Sequence, residues 1–399
     1  MKIYKKINVY DAALDRLRYI FDEFENVVVG YSGGKDSTVT LNLAMIVAKE
    51  KNRLPLSVIF IDQEAEWQGT IDVVKKVMYD PNVKPYWFQM PIVITNNASS
   101  YERYSYCWNE DEKEKWIHPK DDISIKENTY GTERFHELFE AIFKKEFNTQ
   151  KSCYLAGVRT EEAPKRFIAL TEALTYKHIT YGKILNKSRE HYTLYPIYDW
   201  SYTDVWKAIH DNKWDYNKVY DEYYRNGVTL NNMRISNVHH ETAIQSLMLI
   251  QEIEPKTWER VAARINGANT IKHLKSKSFQ CPKDLPSMFL SWEEYAIHLA
   301  NNIIQEQKYK DLLLEKINKN KEIYSGRLII DDFYKTIIKT ILSSDWDFTK
   351  FQNWLLSGDV DTYRRFYKKT NYLRNMLKST KFLETHEKEE LLKYFKTNK

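Results

Sequence analysis

Apolar positions in the first half of the chain alternate between helical spacing and short unbroken runs. Residues 11–25 put Ala12, Leu14, Leu17, Ile20 and Phe21 three and four apart, the pattern of an amphipathic helix. Asn26-Val27-Val28-Val29-Gly30-Tyr31 follows as a β-branched run suited to a strand buried on both faces. Residues 38–49 predict a helix, 56–61 a strand, 69–78 a helix and 84–90 a strand. Residues 101–130 are polar and aromatic and read as a long loop, a kind that is usually functional or mobile. Helix returns at 131–147, strand at 151–157, and helix again from Glu162 to Leu174. Residues 192–198 predict a fifth strand, placed at an edge because it contains Pro196. Ser201 is a helix N-cap with Asp204 three residues on, close to a capping box. Strands that alternate with helices predict an α/β fold with a doubly wound parallel sheet.

The strand signal fades after about residue 230. Residues 239–252, 255–265, 291–319, 331–343 and 348–356 read as helices, with one weak strand at 328–330. The predicted division is an α/β nucleotide-binding domain over 1–230 and a mostly helical domain over 231–399.

Composition narrows the function classes. An apolar fraction of 43% in 399 residues excludes global disorder. No apolar run approaches the roughly 18 residues that span a bilayer. The opening residues lack a signal-peptide core, so the expected location is cytoplasmic, with no membrane partner. The formal charge of +5 is uneven: residues 361–399 hold 11 Lys+Arg against 5 Asp+Glu. Within them, YRRFYKKTNYLRNMLK (363–378) has the composition of a nucleic-acid or acidic-partner surface, with a solvated helix face as the alternative. Cys107, Cys153 and Cys281 lie far apart, which fits a reducing compartment and no disulfide framework.

Candidate chemistry centres on Ser32-Gly33-Gly34-Lys35-Asp36-Ser37, set between a buried strand and a helix. Glycines allow a tight turn whose N–H groups converge on an anion, and the helix adds its positive end. Lys35 supplies a mobile cation, and Ser32 and Ser37 supply hydroxyls. The loop is not a Walker A motif, because Val29 and Asp36 stand where Gly and Ser/Thr are needed. Nor is it a Rossmann GxGxxG, since the glycines are 30, 33 and 34.

SGGKDS resembles the signature of the PP-loop superfamily, the adenine-nucleotide alpha-hydrolase-like fold. Phe60-Ile61-Asp62-Gln63-Glu64-Ala65-Glu66, the segment Leu155 to Glu162 with Arg166, and Tyr195 to Ser201 through Val205-Trp206 are similar to motifs of phosphoadenosine phosphosulfate (PAPS) reductases. Asn226-Gly227-Val228, Met233 to Ser236, Ile253 to Trp258, Arg264 to Asn269, and Asn353 to Asp359 with Tyr363-Arg364-Arg365 resemble one branch. That branch carries an extra C-terminal domain of unknown function and includes the immunoglobulin-binding regulator A proteins of bacteria and phages. The resemblance implies binding of ATP with Mg²⁺, cleavage between the α- and β-phosphates, and a ParB-like nuclease-domain partner.

The chain departs from the reductases in its cysteines. No Cys follows Cys281, and no two cysteines lie within forty residues. A nucleophilic C-terminal Cys and an iron–sulfur cluster, which needs four converging thiolates, are therefore not expected. The predicted activity is adenylation of an unidentified acceptor, with pyrophosphate release, and not sulfite formation. Two alternatives are a nucleotide-dependent regulatory or DNA-associated protein and a nucleic-acid modification enzyme.

Lys35 and Asp36 are the predicted catalytic pair; Asp36 either caps the helix or touches Mg²⁺, with the cap preferred. Ser32, Gly33, Gly34, Lys35, Asp36 and Ser37 are expected to hold phosphate. Asp62 and Glu64, at a strand's C-terminal end, are expected to contact ribose, adenine or metal, with a solvated loop as the alternative. Arg159 and Arg166 are expected to grip phosphate, although Arg166 also sits one turn from Glu162. Mg²⁺ is placed near Asp36 and Asp62. His239-His240-Glu241 is not read as a metal site, since adjacent helical residues diverge by about 100°. Tyr104, Tyr106, Trp108 and Trp116 either stack on a base or pin their loop.

Overall fold

The valine run becomes the central strand of a six-stranded sheet. Val27 and Val29 enter one hydrophobic core and Val28 the other, which is why the run is apolar without alternation. The computed structural model describes residues 6–96, 99, 102, 104–148, 151–162, 166, 170, 175–186, 191–230, 233–235, 244–268, 281–304, 306–325, 329–343, 345, 347–358, 360, 361, 365, 369, 372 and 389. Two compact units divide the chain, Met1–His273 and Leu274–Lys399.

The first unit begins α1 (Val9–Glu23), β1 (Asn26–Gly30), α2 (Lys35–Glu50), β2 (Leu56–Ile61), α3 (Gln68–Met78) and β3 (Val83–Phe88). It continues with β4 (Ile92–Thr95), β5 (Tyr104–Cys107), α4 (Phe135–Glu146), β6 (Ser152–Leu155), β7 (Gly182–Asn186) and β8 (His191–Leu194). The helices α5 (Tyr202–Asp211), α6 (Val219–Arg225), α7 (Ile244–Ile253) and α8 (Pro255–Arg264) follow. The main sheet has the order β3-β2-β1-β6-β8-β7. All its neighbours pair in parallel except β7, which runs antiparallel to β8. One face is covered by α1, α2, α3 and α5, the other by α4 with the β4–β5 ribbon. The chain winds outward from β1 through β2 to β3, then crosses back to β6. The gap between the ends of β1 and β6 is thus a topological switch point, where such sheets bind ligands.

Several expectations change. The strand at 191–194 is interior, because the unpredicted β7 covers it, and Pro196 lies past its end. The 101–130 stretch holds β5 and a 3₁₀ turn at Glu110–Lys115. The Ser201–Asp204 capping box is present on α5. Most of 163–174, His239-His240-Glu241 and most of 363–378 lie outside the described residues.

The first unit also runs past residue 230 to His273, because α7 and α8 pack into it. Trp67 stands at the N-cap of α3 without a capping side chain. The Glu254 carboxylate replaces it from 186 residues away, accepting from the Gln68 N–H at 2.7 Å and the Gly69 N–H at 3.1 Å. Two helix-terminal amides and the helix dipole thus share one carboxylate. Glu254→Ala is expected to lower stability by about 1–2 kcal/mol, the range for a lost cap. Urea unfolding checks this, and an unchanged midpoint would show the contact to be idle.

The second unit contains α9 (Trp292–Ile303), α10 (Gln307–Tyr324), α11 (Ile330–Leu342) and α12 (Thr349–Leu355). Residues 291–319 form two helices and not one, since Ile304 turns out of helix into the core. Ile330 opens α11 in place of the expected strand; Phe333, Tyr334, Ile337, Ile338 and Ile341 continue the helical stripe. Among the described residues no helix is long and apolar enough to cross a membrane.

Candidate functional site

The turn after β1 is tightly constrained. Gly33 has φ +69°, a conformation that favours glycine, and a Cβ there would lie a tight 3.0 Å from Thr70 Cγ2. Gly34 is the N-cap of α2 and offers no side chain to the first-turn amides. Ser37 Oγ donates to the Gly34 carbonyl at 2.9 Å, accepts from the Ser32 N–H at 3.3 Å and lies 3.2 Å from Ser32 Oγ. The serines thus brace the turn. Gly157, after β6, packs against the same helix end; a Cβ there would fall 2.7 Å from the Asp36 carbonyl.

Asp36 lies inside the helix and does not cap it. Its carboxylate accepts from Lys35 Nζ at 2.8 Å and from Arg159 Nε at 2.6 Å. Arg159 is buried, with Glu161 at 3.3 Å and Glu162 at 3.7 Å, so it orients Asp36 from behind. Arg166 pairs with Glu162, the i,i+4 contact read from the spacing. Burial, and then the nearby Asp36 carboxylate, raises the Glu162 pKa above the ordinary carboxylate value. These groups border a cleft of about 530 Å³ lined by Ser32, Gly34, Lys35, Asp36, Ser37, Glu162 and Arg166. Ile59, Phe60, Ile61, Phe135, Phe139 and Tyr154 form its apolar wall.

Asp62 and Glu64 do not join that lining. Asp62 is fully buried and accepts from the Glu64 N–H at 2.9 Å, Trp87 Nε1 at 3.2 Å and Gln89 Nε2 at 2.9 Å. His118 Nε2 approaches it at 3.5 Å. Burial is the largest single influence and opposes the imidazolium, but the Asp62 carboxylate, the Pro119 carbonyl and the Glu64 charge together outweigh it, and the His118 pKa is raised. Glu64 accepts from Arg264 Nε at 2.7 Å, Arg264 Nη2 at 3.3 Å and the Trp108 N–H at 2.7 Å. Arg264 also donates to Glu112 at 2.6 Å and to the Tyr106 carbonyl. Trp108 and Trp116 prove to be anchors: their indoles donate to the carbonyls of Asp62 at 2.8 Å and Asn109 at 3.0 Å.

Asp36 and Asp62, the expected neighbours of magnesium brought with the nucleotide, form no ready-made metal cage. The Asp36 and Asp62 carboxylates are already occupied by protein donors, and no group of three His, Cys, Asp or Glu side chains converges among the described residues. The chain's residues do not fit a resident Mg²⁺.

Two cleft groups escaped the sequence reading. Glu64 lies past the end of β2 with φ +66°, and Glu66, not Glu64, lines the cleft. Glu66 is 2% exposed, its Oε2 has no hydrogen-bond partner among the described residues, and burial followed by the Asp62 charge raises its pKa well above the ordinary value. The second is Tyr220 on α6, whose hydroxyl accepts from the Lys35 N–H at 3.2 Å. Only the acidic run Asp62–Glu66 hinted at the first, and nothing near the motif signalled the second.

The profile of the phosphoadenosine phosphosulfate reductase domain matches residues 26–227, from the first residue of β1 to just past α6. The chain belongs to this family. A domain of unknown function, DUF3440, matches residues 227–327. The uncharacterized protein YbdN of Escherichia coli is 28% identical over 320 residues, covering 76% of this chain and 78% of its own length. An adenosine 5'-phosphosulfate reductase of Lysinibacillus sphaericus is 22% identical over 220 residues, covering 54% of this chain and 77% of its own. The phosphoadenylyl-sulfate reductase of Candida auris, solved with phosphate, aligns at 15% identity over 55% of this chain and 93% of its own, with a TM-score of 0.30.

Within this reductase-domain family member, Cys153 lies in β6 and Cys107 ends β5, both buried, and burial raises both thiol pKa values. Neither is placed to act as an exposed thiolate nucleophile. Cys281 is half-buried in the second unit.

Proposed function

We propose that this protein binds ATP in the switch-point cleft and transfers its adenylyl group to an acceptor. The observation that carries this reading is the N-terminus of α2, whose N-cap Gly34 brings no capping side chain, beside Lys35 and bordering a cleft with an apolar wall. In this reading the Gly33–Gly34 turn and the α2 dipole hold the phosphates, and Lys35 Nζ leaves Asp36 to neutralise the leaving group. The acceptor's lone pair forms the bond to the α-phosphorus. The bond to the bridging oxygen breaks, pyrophosphate leaves with that electron pair, and the acceptor's proton passes to solvent. Magnesium belongs to the substrate as a nucleotide complex. Sulfite-forming reduction is not part of the proposal, because the buried Cys107 and Cys153 supply no thiolate.

ATP labelled at the α- and γ-phosphates tests this. Labelled AMP, free or attached, and labelled pyrophosphate are expected. Release of inorganic phosphate alone, or an absence of ATP binding, would remove the proposal.

A further inference from the structure

The hydroxyl of Tyr220 stands where a phosphate oxygen would accept from the first turn of α2. It takes the Lys35 N–H at 3.2 Å and lies 3.5 Å from the position a Gly34 Cβ would occupy. The side chain is 5% exposed and lines the cleft. Its ring is held edge-on by Trp206 at 5.4 Å and Tyr223 at 6.5 Å, so the hydroxyl cannot swing aside without unpacking both. Among the described residues no group accepts the Tyr220 O–H proton, while Glu66 Oε2 in the same cleft also lacks a partner. Two buried polar groups at one cleft are thus left for a ligand to complete.

We propose that Tyr220 is a phosphate ligand of this site, passing the polarity of the α2 terminus through its hydroxyl to a bound phosphate oxygen. The inference rests on the ATP reading above and adds a residue from outside the glycine loop. A hydroxyl that accepts from a helix-terminal N–H becomes a better donor, because linked hydrogen bonds polarise one another. A phosphate oxygen, which only accepts, is the complementary group. Burial, and then the Asp36 charge, raises the phenol pKa and keeps the proton available to donate. The Lys35 ammonium, 5.5 Å from the ring centre, adds a cation on the same side.

Tyr220→Phe keeps the ring and removes only the hydroxyl. Calorimetric titration of the full chain with ATP, pyrophosphate and adenosine is the test. ATP and pyrophosphate should bind about tenfold or more weakly to the variant, the effect of one hydrogen bond to a charged group, while adenosine is unaffected. Equal affinity for ATP in both chains would overturn the assignment. So would tighter binding by the variant, which would make the hydroxyl a competitor of phosphate. An equal loss for adenosine would reduce Tyr220 to a packing role. If the unmodified chain binds neither ATP nor pyrophosphate, the ATP reading itself falls, an outcome distinct from the other three.

Discussion

Lys35→Ala is expected to weaken ATP binding by about a hundredfold or more, with little change in stability. The side chain is 8% exposed, borders the cleft and carries its ammonium 2.8 Å from Asp36. In the proposed complex that ammonium contacts phosphate oxygens, and charge-assisted hydrogen bonds of this kind contribute about 1.5–3 kcal/mol each. Two of them correspond to at least two decades in the dissociation constant. Stability is spared because Asp36 keeps Arg159 at 2.6 Å and is not left as an unpaired buried carboxylate. Titration of both chains with ATP, paired with thermal unfolding, checks the two halves together. Affinity within about threefold of the unmodified chain would remove Lys35 from the site.

Arg264→Ala has the opposite signature, a large loss of stability from a residue outside the cleft lining. Glu64 is 2% exposed, and Arg264 is the cation paired with it, at 2.7 Å. Truncating the arginine strands that carboxylate and costs Glu112 and the Tyr106 carbonyl a donor. Breaking one side of a buried pair costs about 3–5 kcal/mol, mostly from the charge left behind. Glu64→Gln in the same chain should recover part of the loss, because a neutral amide is less costly to bury. Chemical unfolding of the single and double variants measures the coupling. A loss below about 1 kcal/mol for Arg264→Ala would show that the pair does not hold the loop.

The parallel sheet was legible because β1, β2 and β6 are apolar runs between glycines or polar turns, and the helices between them keep a 3.6-residue period. The glycine loop was legible for a related reason: its tight turn is a matter of local backbone conformation, which Gly33 and Gly34 encode directly. What escaped was set by distant or non-periodic features. β7 is an edge strand that pairs with β8, with a single bridge from Lys183 to Thr175, and its residues carry no strong alternation. Glu66 lines the cleft two residues past a left-handed Glu64, a conformation that non-glycine residues seldom adopt. Tyr220, Glu254 and Arg264 act on groups 185, 186 and 200 residues away, and no local pattern specifies such a meeting.

The carboxylate of Glu254 on α3 bears on the order in which this protein can form during synthesis. The reductase-domain match ends at residue 227, yet α3 completes its first turn with residue 254, and Glu64 acquires its cation only at residue 264. A nascent chain that has just released β8 has every strand of the main sheet but still lacks the partners of the α3 terminus and of Glu64. The first unit therefore takes two of its polar partners from beyond the reductase-domain match, in the segment of unknown function, and these leave the ribosome after every strand of its main sheet.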